Sequence, residues 1–361
     1  MATPDQIARL RLIRSEQIGP VTYRQLLARF GSAQAAIEAI PELAARGGGH
    51  APKIASPAEA EREIEEVGRI AARHLFLGEE DYPPMLAQLE AAPPVLIARG
   101  DTALLTLPAV SMVGARNASA AACRFARQLA QALGDRGSVI VSGLARGIDS
   151  AAHDGALATG TIAVIAGGID VFYPPENEER QRAIGERGLV LAEQPPGTEP
   201  RARHFPYRNR IIAGLTPGTI VVEAAPKSGS LITARYAAEF GREVMAVPGS
   251  PLDPRAQGCN QLISDGATLV QNADDVLEAL GPIGTGLVRQ DGPGYAAQHE
   301  MADADELARR LVVGLLSATP VAVDELIRQS FLTAPTVQTL LLELELAGRL
   351  ERHAGGRVSL A

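Results

Sequence analysis

The chain has no tryptophan, only two cysteines, and 4% aromatic residues among its 361. Cys123 and Cys259 are too few and too far apart in sequence for a disulfide framework or a zinc knuckle, so a reduced cytoplasmic setting is expected and no metal is assigned. No apolar run approaches membrane-spanning length, and the N-terminal stretch MATPDQIARLRLIRSEQ has no leader-like apolar segment, so neither insertion nor secretion is expected. Basic excess is missing too: a formal net charge of −8 argues against coating nucleic acid by bulk attraction, so any such binding must use a local basic cluster. There is no GxxxxGK[ST] loop, which removes the expectation of ATP hydrolysis. The dinucleotide fingerprint fails because Val113-Gly114-Ala115-Arg116-Asn117 puts an arginine where a second glycine would admit a pyrophosphate. No cofactor is expected.

What the chain does have is length and apolar content: 46% hydrophobic and 21% charged residues is a soluble globular composition, and 361 residues exceed one ordinary domain. Between about residues 109 and 280, mainly apolar runs at 109–113, 139–141, 161–165, 189–191, 219–222, 243–247 and 268–270 alternate with helical stretches. This is the signature of an α/β doubly wound, mostly parallel sheet of extended Rossmann-like type, which binds ligands beyond the carboxyl ends of its strands. The run Ile220-Val221-Val222 has no polar alternation, as expected of a parallel strand buried on both faces.

Smaller modules are expected on either side. Residues 1–75 show helical spacing (Ile7, Leu10, Ile13; Leu26, Leu27, Phe30) around the break Ile18-Gly19-Pro20, a SAM-like or helix-hairpin-helix pattern. Its glycine turn reads either as a phosphate contact or as a plain helix-helix turn, and the plain turn is favoured. Pro83, Pro84, Pro93 and Pro94 then interrupt helix formation ahead of a short strand at 95–98, so the main domain is assigned to 76–280. A glycine-rich passage at 281–302 reads as a flexible linker. Helical runs at 307–316, 323–329 and 336–346, followed by a hairpin pattern, give a winged-helix order over 303–361. Its candidate reading helix carries Glu343 and Glu345 where a DNA reader carries Arg or Lys, so a protein-interaction or accessory role is expected of it.

The chemistry collects in loops after strands. The first, VGARNAS, offers Gly114 for close approach, Arg116 as a phosphate fork, and Asn117 and Ser119 at a helix start. The second, SGLARGIDSAAH, offers Ser142, Gly143, Arg146 and Gly147 ahead of a helix, and the third places Gly167 and Gly168 before the turn YPPEN. After the strand at 219–222, Lys227 stands beside Ser228, Gly229 and Ser230, where a helix is expected to start with its positive dipole end facing the loop. These residues either cap that helix and nothing more, or hold a phosphate. A doubly wound fold needs glycine turns in any case, but their repetition at successive strand ends favours a ligand site.

A dense positive segment, Arg201, Arg203, His204, Arg208 and Arg210, is interleaved with Phe205, Tyr207 and Ile211. Cations that follow a backbone beside rings that stack on bases suit single-stranded nucleic acid, since duplex DNA hides its base faces. The arginines are read as functional and Phe205 as a packing residue. Asp149, His153 and Asp154 lie together after the second loop, and Asp149 and His153 share a helix face. They are read as structural, because a metal needs more ligands.

Together VGARNAS, VSGLARGIDSAAHDGAL, GGIDVFYPPEN, FPYRNRIIAGL, VVEAAPKSGSLITA, VPGSP and QGCNQLISDGA resemble the DNA-processing protein A (DprA/Smf) family over about residues 89–280. The resemblance implies a homodimeric binder of single-stranded DNA without sequence preference that helps load the recombinase RecA in natural transformation. It maps the DNA pocket onto Gly114, Arg116, Ser142, Gly143, Gly167, Gly168, Arg208, Asn209, Lys227, Ser228, Gly229 and Ser230. Asn117, Ser119, Arg146 and Arg210 complete the expected set. The competing enzyme reading is a nucleotide phosphoribohydrolase of the lysine-decarboxylase-like type, whose PGGxGTxxE loop carries a catalytic glutamate. Here that place reads APKSGSLITA, and Glu223 upstream is expected to order the loop or pair with an arginine.

Overall fold

The computed structural model describes residues 2–281, 305–353 and 355–361. They form two compact units, one comprising residues up to 62 together with 305–361, the other residues 63–281. The linker expected at 281–302 lies outside the described residues except for Gly281. Among the described residues, no helix is long and apolar enough to cross a membrane.

The larger unit is built on a nine-stranded sheet. Its strands are β1 (Arg73–Phe76), β2 (Val95–Gly100), β3 (Ala109–Gly114), β4 (Val139–Ser142), β5 (Thr161–Gly168), β6 (Leu189–Gln194), β7 (Gly218–Val222), β8 (Glu243–Ala246) and β9 (Thr268–Leu269), in the order β1-β2-β6-β5-β4-β3-β7-β8-β9. From β6 to β9 every pairing is parallel, whereas β2 runs antiparallel to β6 and β1 antiparallel to β2. The doubly wound, mostly parallel sheet expected from the alternating pattern is therefore present. Strand β1 was not anticipated: it follows directly on helix Pro57–Arg69 and reads as the end of a helical stretch.

Strand order reverses between β3 and β7, which makes their carboxyl ends the switch point where a crevice opens. The register there pairs Ser111 with Thr219 and Gly114 with Val222. The buried Ser111 hydroxyl donates to the Ile212 carbonyl at 2.7 Å, so a polar side chain in the core keeps its hydrogen bond. Gly114 is needed for packing: a Cβ there would lie 1.9 Å from the Val222 oxygen and against Ile148. Helix Ala120–Gly134 starts on a side-chain cap at Ser119, where the hydroxyl accepts from the Ala122 amide.

The smaller unit combines helices Pro4–Arg14, Pro20–Phe30 and Ala33–Arg46 with a winged helix. The latter has helices Glu306–Leu315, Val323–Ser330 and Ala334–Leu346 and a three-stranded sheet of β10 (Val321–Ala322), β11 (Leu350–His353) and β12 (Arg357–Leu360) in the order β10-β12-β11. Both ends of the chain thus belong to one compact body, which the sequence reading had treated as separate modules.

His153, on helix Ile148–Ala156, is fully buried, with Nδ1 2.8 Å from Thr161 Oγ1. Thr161 uses its only hydroxyl proton on the Ile140 carbonyl, so the imidazole donates from Nδ1 and is bare at Nε2, which has no partner. A structural role was expected, and the partner that holds the ring is a threonine. Burial, with Arg180 adding to it, holds the His153 pKa down to about 3. The unfolded chain takes up a proton below the ordinary value near 6.5 that the folded chain refuses until about 3, so stability is lost as pH falls through that window. We expect His153→Gln to be less stable than wild type at pH 7. That difference should shrink by up to about 1.4 kcal/mol per pH unit between pH 6.5 and 4.5 in urea titrations; parallel stability curves would remove His153 as the cause.

Candidate functional site

On one side of the switch point, the loops after β3, β4 and β5 enclose a cavity of about 380 Å³. Arg116 and Asn117 come from the first loop and Gly143 to Arg146 from the second. Ile165 to Gly167, Val171 and Tyr173 to Pro175 come from β5 and the turn after it, and helix His204–Gly214 adds Phe205 and Arg208.

Arg208 is the chemical centre. Its side chain is 6% exposed, Nη1 lies 3.9 Å from Asp149 Oδ2, and the buried Nε has no hydrogen-bond partner. The guanidinium occupies the space above Gly143, where a Cβ would sit 1.2 Å from Nη1. Asp149 Oδ2 also accepts from the Gly143 and Ala145 amides at 3.2 and 3.3 Å, so one buried carboxylate shapes the second loop and faces the arginine. Burial pushes the Asp149 carboxyl up, against the opposing pull of Arg208. Burial lowers Arg208 to about 10, so it remains a cation at neutral pH. A buried cation lining a cavity suits an anion.

The rim is aromatic and basic. The Arg116 guanidinium lies over the Phe205 ring at 5.1 Å, and the half-exposed Tyr173 ring lies 5.7 Å from Phe205. Phe205, read from sequence as a packing residue, therefore belongs to the rim; helix His204–Gly214 turns it outward while Ile211 and Ile212 take the core. Arg146 is ion-paired with Glu176, which halves the rim's free charge. Tyr207 is exposed and outside the lining.

Several expected residues serve the frame and do not line this cavity. The Ser142 hydroxyl donates to the Met112 carbonyl at 2.6 Å, turned into the sheet. Ser119 donates from its amide and hydroxyl to the Glu223 carboxylate at 2.7 and 2.6 Å, so Glu223 orders the first loop, and not the loop after its own strand as expected. Gly168 packs against the Pro195 carbonyl, where a Cβ would meet it at 2.6 Å. Arg210 is buried and ion-paired with Glu193 on β6, because its position on the helix faces the sheet. Lys227, Ser228, Gly229 and Ser230 follow β7, across the switch point, and are outside the lining of this cavity. There the Ser228 hydroxyl caps helix Gly229–Glu239, and Lys227 is exposed. Asn209 links the two sides by donating to the Gly229 carbonyl at 3.3 Å.

Tyr173 and Asp149 are what sequence reasoning missed. The turn YPPEN gives no sign in sequence that its ring faces a site, and Asp149 is read as structural without its amide partners. An acid six residues beyond Gly143 and four beyond Ala145 is the one signal that points to amide capping.

Residues 73–281 match the family described as DNA recombination-mediator protein A, residues 3–65 the DprA-like N-terminal HHH domain, and residues 296–356 the DprA winged helix domain. Protein Smf of Synechocystis is 32% identical over 394 residues, covering 99% of each chain. The crystal structure of DNA processing protein A from Streptococcus pneumoniae is similar with a TM-score of 0.58 and 44% identity, over 62% of this chain and 77% of that one. A structure of DNA processing protein A from Helicobacter pylori, described for its single-stranded DNA binding mode, has a TM-score of 0.53 and 31% identity over 58% of this chain and 95% of that one.

Gly143→Ala forces the Arg208 guanidinium from its seat, and Arg208→Met removes the charge. Each should weaken binding of a single-stranded oligonucleotide by about 1–3 kcal/mol in anisotropy titrations, and the double variant should be no weaker than Arg208→Met alone. Wild-type affinity in Gly143→Ala would take Arg208 out of the site.

Proposed function

Because the chain belongs to the DNA recombination-mediator protein A (DprA/Smf) family, we propose that it is a non-catalytic single-stranded DNA-binding protein of DNA processing in natural transformation. The observation that carries this reading is Arg208, a buried cation lining the cavity, with the Arg116, Phe205 and Tyr173 rim beside it. A phosphate suits the Arg208 seat, an unstacked base suits the rings, and backbone recognition without base-edge contacts makes binding sequence-tolerant. The strand then continues over Asn209 to Lys227 and the start of helix Gly229–Glu239, where exposed charge and a helix dipole favour a second phosphate. Family membership further supports a cytoplasmic homodimer that hands single strands to the RecA recombinase; two cavities on one strand would raise affinity through effective concentration.

The hydrolase reading is weaker on specific grounds. No Asp or Glu lines the cavity, and the Glu223 carboxylate is committed to Ser119. Asp149 is buried against two amides and Arg208. An acid–base pair for glycosidic cleavage needs a carboxylate that reaches substrate.

The test is a titration with single-stranded DNA, duplex DNA and mononucleotides, with the nucleotide mixture assayed for released base. We expect preference for the single strand, no base release, and a log-affinity slope against log salt of about −3, from about four phosphates at roughly −0.7 each. Base release would establish the hydrolase instead, and a salt-independent affinity would indicate a small-molecule pocket. Arg116→Ala and Lys227→Ala should each weaken binding by about 1–3 kcal/mol, roughly uniformly across sequences.

A further inference from the structure

Two elements of the smaller unit have the form of DNA-contacting motifs: the hairpin turn between helices Pro4–Arg14 and Pro20–Phe30, and helix Ala334–Leu346, in the reading position of the winged helix. A hairpin turn of the first kind offers free amides to phosphate, and a reading helix offers a solvated polar face to a groove. In this chain both are pressed against each other.

Helix Ala334–Leu346 is buried on nearly every side. Val337, Leu340, Leu341 and Leu344 enter the core of the winged helix, while Leu342 and Leu346 enter the core of the N-terminal helices beside Leu12, Ile18, Tyr23 and Ile40. The backbones meet without side chains between them: a Cβ on Gly47 would lie 2.1 Å from the Glu343 carbonyl oxygen, and one on Gly49 2.3 Å from that of Ala347. Gly47 has ordinary right-handed backbone angles, so its missing side chain answers to this contact and not to local conformation. Gln17, in the hairpin turn, places its side-chain amide 3.0 and 3.3 Å from the Leu346 and Glu345 carbonyls, and with the nitrogen assigned to that side it caps the helix end whose carbonyls lack partners within the helix. The neighbouring charges are paired within the unit, two of the arginines reaching across the contact. Arg349 donates to the Gly47 carbonyl at 3.0 Å, Arg352 to Glu345 at 2.8 Å and to Gln25 at 3.4 Å, and the buried Glu343 pairs with Arg309 at 2.8 Å.

We propose that the N-terminal helices and the winged helix are each other's docking partner. The hairpin turn and the reading helix, the parts shaped for DNA, close on one another as a protein–protein contact within the chain, and neither contacts DNA. Phosphate binding is left to the larger unit, and this last clause rests on the function proposed above.

The test is hydrogen exchange on the full chain, read by mass spectrometry, for wild type, Gly47→Ala/Gly49→Ala and Gly19→Ala. Gly19 lies in the hairpin turn beside Gln17, but a Cβ there meets open space. In the double variant, exchange in segments 33–46 and 334–346 should accelerate together by tenfold or more, while Gly19→Ala should behave as wild type. Gln17→Ala, which removes one cap and inserts no bulk, should speed both segments by a smaller common factor, so the coupling is readable even if the double variant unfolds the unit. Duplex DNA added to wild type should leave exchange at 15–19 and 334–346 unchanged. Slower exchange there on adding duplex DNA, or independent responses of the two segments, would overturn the docking. Single-stranded DNA affinity, measured on the same samples, should be unchanged in all variants. Absence of such binding in wild type would refute the proposed function and leave the exchange data to judge the docking alone.

Discussion

The arrangement around the cavity depends on one buried ion pair, Arg208 with Asp149. Taking either charge out of water alone would cost several kcal/mol, so each is tolerable only with the other and with hydrogen bonds on the remaining atoms. Asp149 meets that demand through two amides of the loop after β4, which fixes the loop's shape. Gly143 meets it by having no Cβ, which lets the guanidinium close over the backbone. What stays unmet is the Arg208 Nε, which has no hydrogen-bond partner among the described residues.

Around this pair the strand-end loops divide into lining and support. Arg116 reaches the rim because the Glu223 carboxylate grips Ser119 and holds the first loop, and the same bonds keep Glu223 from chemistry of its own. Gly114 and Ser142 serve the sheet beneath. The switch point between β3 and β7 separates two basic regions, one at Arg208 and Arg116, the other at Lys227, with Asn209 hydrogen-bonded across to Gly229. A site spread in this way suits an extended polyanion better than a compact nucleotide.

The smaller unit shows the same economy of polar groups at a protein–protein contact. Acidic residues on a candidate reading helix were the sequence's indication that DNA is not its partner. The structure supplies the partner in the chain's own N-terminal helices, through Leu342, Leu346 and the bare glycines 47 and 49.

The residues alone determined the sheet. Uninterrupted apolar runs such as 219–222 have no stable place except between helix layers, so strand order along the chain and the fold class were readable from local pattern. The motifs were equally legible, because glycine, hydroxyl and arginine at a strand end advertise a phosphate site whatever the surroundings. Direction was not legible. Whether Arg208 faces a cavity and Arg210 a buried glutamate is decided by two positions on one helix, a rotation of roughly 200° at 3.6 residues per turn, and by which neighbours that rotation meets. Phe205 and Tyr173 joined the rim, and Ser142 and Lys227 fell outside the lining, for the same reason. Side-chain chemistry is written locally, but burial and facing follow from packing between segments far apart in the chain, and only the tertiary structure holds that information.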